Sequence, residues 1–193
     1  MWYWGLGGLA ALALVGQVLL NMAESGDGPL GAIWFMLQFF TIWTNLVIAV
    51  VFLRAGFTGR VPGGSLSGAM TLWIVVVGLV YWALLYRGLP PSDPEFYTDH
   101  AFHTLVPLGV AVWFWVASAQ VGLVVKDAIV WLVYPLGYGG YVLLRGAVTA
   151  EYPYFFLDVG RFGYGAVLLK LVGFAALFFV LGLVVVWLSR RRA

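Results

Sequence analysis

The chain contains no cysteine, so disulfides, thiol nucleophiles and cysteine-held metals are excluded at the outset. Charge is nearly as scarce. Asp, Glu, Lys and Arg together make up 9% of the 193 residues, and a formal net charge of +2 is too small and too dispersed for a nucleic-acid partner. The chain has two histidines, which with eight acids leave little from which to build a metal site, so neither metal nor cofactor is expected. Both histidines fall on one segment, whereas bis-histidine haem ligation wants them on facing helices. What is abundant is apolar: 63% of residues are hydrophobic and the mean hydropathy is +0.99. No water-soluble domain of this length needs so much apolar surface, so the solvent for most of the chain is lipid.

Six segments approach the roughly 20 residues that span the hydrocarbon core of a bilayer. They lie near Trp2–Asn21, Pro29–Phe52, Ser67–Tyr86, Pro94–Gln120, Asp127–Val148 and Gly163–Leu188. The start, Met1-Trp2-Tyr3-Trp4, lacks the basic region of a signal peptide, and the first segment is read as a helix of the mature protein. An even number of crossings puts both termini on one side. With that side cytoplasmic, Arg54, Arg60, Lys126 and Arg190-Arg191-Arg192 lie inside, as the positive-inside rule requires, while Arg87, Arg145 and Arg161 lie near the outer ends. The expected fold is all-α: a polytopic membrane protein in which residues 1–193 form one six-helix bundle of antiparallel neighbours, integral to the membrane with both termini cytoplasmic.

The stretch Asp99-His100-Ala101-Phe102-His103-Thr104-Leu105-Val106-Pro107 carries the sharpest functional signal. An ionisable side chain in hydrocarbon is costly, which makes it a site candidate. Asp99 and His103 are four apart and share a helix face, so the carboxylate can fix the imidazole's tautomer. Pro107 cannot donate to the His103 carbonyl, which leaves a local kink and a spare acceptor beside the ring. His100 points elsewhere and suits the wet interface. Ser92-Asp93-Pro94-Glu95 reads as the start of this helix, with Asp93 capping and Pro94 in the first turn.

On the second segment, Gln38, Thr41 and Asn45 follow spacings of three and four and form a polar stripe, with Thr44 at its margin. Such a stripe faces the bundle interior, where it either bonds helices together or lines a cavity. At ~1.5 Å per residue, His103 lies about 14 Å from Pro94 and Thr41 about 17 Å from Pro29, so the two share a level. The linker Pro62-Gly63-Gly64-Ser65-Leu66-Ser67-Gly68 places serines between glycines, but no strand precedes it and no base accompanies it, so it reads as flexible connection. The outer loop Tyr152–Arg161 holds too many aromatics for a solvated loop and is expected to fold back onto the bundle. Asp158 is placed to cap the sixth helix or pair with Arg145 or Arg161. Lys170 either snorkels or meets an anionic headgroup, a role open to Arg145 as well.

Phe39-Phe40-Thr41-Ile42-Trp43-Thr44-Asn45-Leu46, His100-Ala101-Phe102-His103-Thr104-Leu105-Val106-Pro107, Tyr134-Pro135-Leu136 and Tyr152-Pro153-Tyr154-Phe155-Phe156-Leu157-Asp158-Val159 together resemble the bacterial branch of the androgen-induced and androgen-dependent TFPI-regulating membrane proteins. The likeness spans nearly the whole chain in the same order. It implies an intramembrane threonine hydrolase acting on fatty acid esters of hydroxy fatty acids or similar lipids, with a threonine nucleophile on the second helix and a histidine base on the fourth. The histidine maps onto His103. In the animal motif the threonine stands three before an acidic or amide residue; here Thr41 is four before Asn45 and Thr44 is one before it. Thr41 is preferred because it shares the stripe with Gln38 and Asn45, and Thr44 is the alternative nucleophile. Asp99 would orient the imidazole, and Asn45 or Gln38 would donate to the oxyanion. Expected partners are a lipid ester or fatty-acid-like substrate and the membrane lipids, with no nucleic acid. Rival readings are a small-molecule or proton-coupled transporter and a non-catalytic scaffold. The transporter would show inverted repeats and helices broken at mid-membrane, and neither is evident in the sequence.

Overall fold

The computed structural model describes residues 1–118 and 122–191, and among them there is helix and no strand. Among the described residues, six helical stretches are long and apolar enough to cross a membrane: Trp2–Ser25, Phe40–Thr58, Gly64–Leu85, Glu95–Ala117, Val125–Thr149 and Val159–Arg190. The expected end of the fourth segment at Gln120, and Arg192 of the basic tail, lie outside the described residues. The chain divides into two compact units, Met1–Gln120 with four of these stretches and Val121–Ala193 with two.

In the first unit, α1 (Trp2–Ser25) packs along α3 (Phe40–Thr58), and α4 (Gly64–Val80) packs along α6 (Val106–Ala117). Small residues allow close approach at some positions of α1 and not at others. A side chain at Gly7 would meet the Leu53 backbone at 3.0 Å, and one at Gly16 would meet Thr98 at 3.2 Å, whereas a Cβ at Gly5 or Gly8 would meet no other part of the structure within 4 Å. At one end of the unit Tyr3, Phe52 and Trp113 form an aromatic cluster, with Phe52 and Trp113 centroids 4.6 Å apart edge to face. Toward the other end the interior turns polar. Thr98 donates to Gln17 Oε1 at 2.6 Å, and Gln17 Nε2 donates to Glu95 Oε1 at 3.2 Å and to Asn21 Oδ1 at 3.0 Å. These bonds tie α1 to α5 (Glu95–His100) and pair partly buried polar groups with one another.

The second segment is not the continuous helix expected over Pro29–Phe52. A short α2 (Pro29–Met36) ends, Leu37-Gln38-Phe39 form a non-helical link with Phe39 extended at φ −96 and ψ 129, and α3 then starts at Phe40. No proline or glycine causes this break. Side chains stabilise it instead: the Trp43 indole donates to the Leu37 carbonyl at 2.6 Å, and the Gln38 amide donates to the Phe35 carbonyl at 2.9 Å. Carbonyls released by the interruption are thereby satisfied internally, the condition for irregular backbone at membrane depth. Gln38 therefore sits in the link and not on a stripe with Thr41.

The third and fourth stretches each contain a π-helical turn. α4 runs on into one at Tyr81–Leu85, and α5 passes through another at Ala101–Leu105 before α6. The second lies just before Pro107. The missing Pro107 amide removes one bond to the preceding turn, and the chain accommodates this by widening to i→i−5 pairing, as in Val106 N–H to Ala101 O. Pro94 occupies the cap position of α5 where Asp93 was expected, and Asp93, one residue earlier, accepts from the Glu95 amide at 2.9 Å. The glycine–serine stretch proves helical from Gly64 onward, and Ser67 is buried with its hydroxyl bonded to the Pro62 carbonyl, so it is less of a free linker than its composition suggested.

In the second unit, α7 (Val125–Val130) and α8 (Val133–Thr149) are separated by a turn at Trp131-Leu132. The turn puts Pro135 in the first turn of α8, where its missing N–H is harmless. α7 packs on α9 (Val159–Arg190). Gly163, where the sixth helix was expected to begin, is a kink near that helix's start, with φ 73 and ψ 159, a left-handed value that glycine tolerates. The aromatic loop folds onto this unit's own helices: Phe156 stacks with Tyr154 and contacts Phe174 of α9 with centroids 5.0 Å apart. Tyr152 lies flush against Gly146 of α8, and burial pushes its phenol up from its ordinary value.

Candidate functional site

Three elements of the first unit meet near its polar end. Thr41 stands in the first turn of α3, His103 in the π-turn Ala101–Leu105, and Tyr81 at the start of the π-turn that ends α4. The Thr41 hydroxyl lies 3.3 Å from His103 Nε2 across 62 residues of sequence. Both are partly exposed, so the pair is reachable from the protein surface.

The tautomer follows from the other ring nitrogen. His103 Nδ1 faces two acceptors, the Asp99 backbone carbonyl at 2.9 Å and its carboxylate Oδ1 at 3.3 Å. Neither can donate, so the proton resides on Nδ1 and the Nε2 lone pair is turned toward Thr41. This arrangement suits a general base with a hydroxyl in reach. Asp99 itself is buried, 7% exposed, and its other oxygen accepts a hydrogen bond from the Tyr81 hydroxyl. The Tyr81 ring also stacks on the His103 ring, with centroids 4.0 Å and planes 8° apart. Close helix approach permits the stack: a Cβ at Gly78 would lie 3.1 Å from the His103 carbonyl oxygen. Trp82 Nε1 adds a bond to Thr104 at 3.2 Å between the two π-turns.

No protein-family model, curated protein or solved structure matches the chain.

The remaining candidates divide by position. Thr44 is fully buried and donates to the Phe40 carbonyl at 2.9 Å, a back-bond within its own helix. Asn45 is also fully buried; its amide nitrogen donates to the Thr41 carbonyl at 2.9 Å, while its Oδ1 has no partner among the described residues. Asn45 and Gln38 thus direct amide nitrogens at backbone carbonyls of the segment that carries Thr41. Helix starts leave amides without intrahelical acceptors, and Thr41 occupies such a start. His100 turns away from Thr41, bonding the Phe96 carbonyl at 2.9 Å and packing on the Phe96 ring. At the mouth of the polar end Arg87 pairs with Glu95 at 2.6 Å. Burial lowers the Arg87 guanidinium's hold on its proton, but the Glu95 carboxylate more than offsets this and raises it above its ordinary value.

Arg145, Asp158 and Lys170 belong to the second unit. Arg145 is buried and donates to the Tyr141 hydroxyl at 3.3 Å. Asp158 caps α9 by accepting from the Arg161 amide at 3.0 Å. The Lys170 ammonium sits 3.2 Å from the centroid of the Phe162 ring, a cation–π contact that shelters the charge. Among the described residues, no three His, Asp or Glu side chains gather as a metal-binding group.

Tyr81 was missed in the sequence. Its only signal there was an aromatic beside Trp82 near the end of an apolar segment, where such residues commonly mark the interface. Recognising it required knowing which helix faces His103.

Proposed function

We propose that the chain is an intramembrane lipid-ester hydrolase with Thr41 as nucleophile and His103 as general base. The single observation carrying this reading is the Thr41 hydroxyl at 3.3 Å from a His103 Nε2 whose opposite nitrogen is held as a donor. Thr41 Oγ attacks the ester carbonyl as its proton passes to Nε2. The tetrahedral intermediate collapses, the C–O bond to the alcohol breaks, and the leaving alkoxide takes that proton. Water then gives a proton to Nε2 while its oxygen attacks the acyl-threonine, releasing the fatty acid and restoring the Thr41 hydroxyl. The charge developing on the carbonyl oxygen falls beside the positive end of α3, where the dipole favours an anion.

The substrate class follows from the surroundings and from the family resemblance. A partly exposed site between apolar helices favours a long-chain ester entering from lipid, such as a fatty acid ester of a hydroxy fatty acid. Arg54 and Arg60 lie at the opposite end of α3 from Thr41. By the positive-inside rule that end is cytoplasmic, which places the catalytic pair toward the outer leaflet of a bacterial cytoplasmic membrane with both termini inside.

The test is purified protein in nanodiscs, a panel of lipid esters, and the variants Thr41→Ala, Thr44→Ala and His103→Ala. Turnover lost in the first and last but retained in Thr44→Ala supports the assignment. Equal turnover in all three rejects it. A fluorophosphonate adduct mapped to Thr41 by mass spectrometry would be independent support.

A second reading draws on the break at Leu37-Gln38-Phe39, since interrupted helices are a feature of carriers. A proton-coupled transporter would move protons across proteoliposomes in a manner abolished by Asp99→Asn, with no ester cleavage.

A further inference from the structure

We propose that Tyr81 is a positioning residue, acting through His103 and Asp99 to hold the Nε2 lone pair on the Thr41 hydroxyl; this rests on the hydrolase reading above. Tyr81 touches both members of the base–orienter pair. Its hydroxyl donates to Asp99 Oδ2, and its ring lies face to face with the imidazole, planes 8° apart. It is 3% exposed, so neither contact competes with water.

Two contacts are needed because the acceptors at Nδ1 pin only one point of the ring. The χ2 torsion of histidine is broad, and an imidazole held at Nδ1 alone can still tilt Nε2 away from a neighbouring hydroxyl. A parallel aromatic face removes that freedom. The hydroxyl removes a second one: with Oδ2 engaged, the Asp99 carboxylate cannot rotate to present a different oxygen to Nδ1. The π-turn beginning at Tyr81 and the one containing His103 bring the rings together, and the Trp82–Thr104 bond at 3.2 Å fastens the turns to each other.

The experiment uses the full chain in nanodiscs, with Tyr81→Phe keeping the stack and losing the hydroxyl, and Tyr81→Leu losing both. In Tyr81→Phe, kcat falls about 10-fold with KM within about twofold; in Tyr81→Leu it falls on the order of 100-fold. A substrate-free readout separates positioning from packing: nitrogen NMR of the histidine-labelled protein, with His100→Gln assigning the two rings. The wild type gives a single Nδ1–H tautomer for His103, Tyr81→Phe gains an Nε2–H population, and Tyr81→Leu averages the two forms. A wild-type imidazole signature in both variants overturns the proposal, whatever happens to kcat, and Tyr81→Phe decides it should Tyr81→Leu fail to fold. If no ester is turned over by the wild type, the hydrolase reading falls, and the tautomer result alone decides whether Tyr81 positions the ring.

Discussion

Trp43 donates its indole N–H to the carbonyl of Leu37 at 2.6 Å, six residues back, across the interruption that starts α3. The bond does two things. It satisfies a carbonyl that the end of α2 would otherwise leave without a partner, and it fixes where the next helix begins, which sets the direction of Thr41 two residues earlier. The break is thereby linked to the Thr41–His103 pair beside it.

Trp43→Phe keeps most of the apolar volume but strands the Leu37 carbonyl. The expected cost is about 1–3 kcal/mol, the penalty for an unsatisfied buried acceptor. Thermal unfolding in detergent, followed by far-ultraviolet circular dichroism, measures it. Ester turnover is expected to fall further than the stability loss explains, because Thr41 loses its fixed direction. Stability and turnover both unchanged would show that the break holds without the indole.

Thr41→Ala and Thr44→Ala should separate cleanly. Removing the proposed nucleophile should abolish covalent labelling and turnover, whereas the Thr44 hydroxyl back-bonds the Phe40 carbonyl at 2.9 Å within its helix. Its removal is expected to change stability by about 1 kcal/mol or less, since such back-bonds contribute little or slightly bend the helix. Labelling that survives in Thr41→Ala and disappears in Thr44→Ala would reverse the assignment.

Asp99→Asn preserves size but offers an amide to His103 Nδ1 in place of a carboxylate 3.3 Å away. Where an aspartate orients a catalytic histidine in serine hydrolases, the same change lowers kcat by roughly 10⁴. Here the Asp99 backbone carbonyl at 2.9 Å also accepts from Nδ1, so the expected loss is smaller, on the order of 10²-fold. KM should move little. An undiminished kcat would remove Asp99 from the mechanism.

Gly146→Ala tests the second unit by itself. An added Cβ would overlap the Tyr152 ring, a rigid group that can only leave its seat against α8. Overpacking of this kind typically costs about 1–3 kcal/mol. The variant should melt earlier and expose the 152–158 loop to proteolysis, and Gly146→Ala combined with Tyr152→Ala should recover part of the loss.

The sequence by itself determined the all-helical class and the number of long apolar stretches, because hydropathy over about 20 residues is a property of composition, not of packing. It also determined the Asp99–His103 pairing, which acts over four residues, and placed Asp93 at the entry to α5, where it accepts from an amide two residues on. Its errors were of another kind. Counting along an unbroken second helix placed Thr41 at the depth of His103, yet the structure breaks that helix at Leu37-Gln38-Phe39 with no proline or glycine to announce it. The break is stable only because Trp43 and Gln38 reach back to carbonyls, which depends on where those side chains point. The π-turn at Tyr81–Leu85 and the role of Tyr81 were invisible for the same reason, whereas Pro107 marked a local distortion beside His103 in advance. A stack between residues 81 and 103 is a relation between helices, and only tertiary packing decides which faces of two apolar cylinders meet.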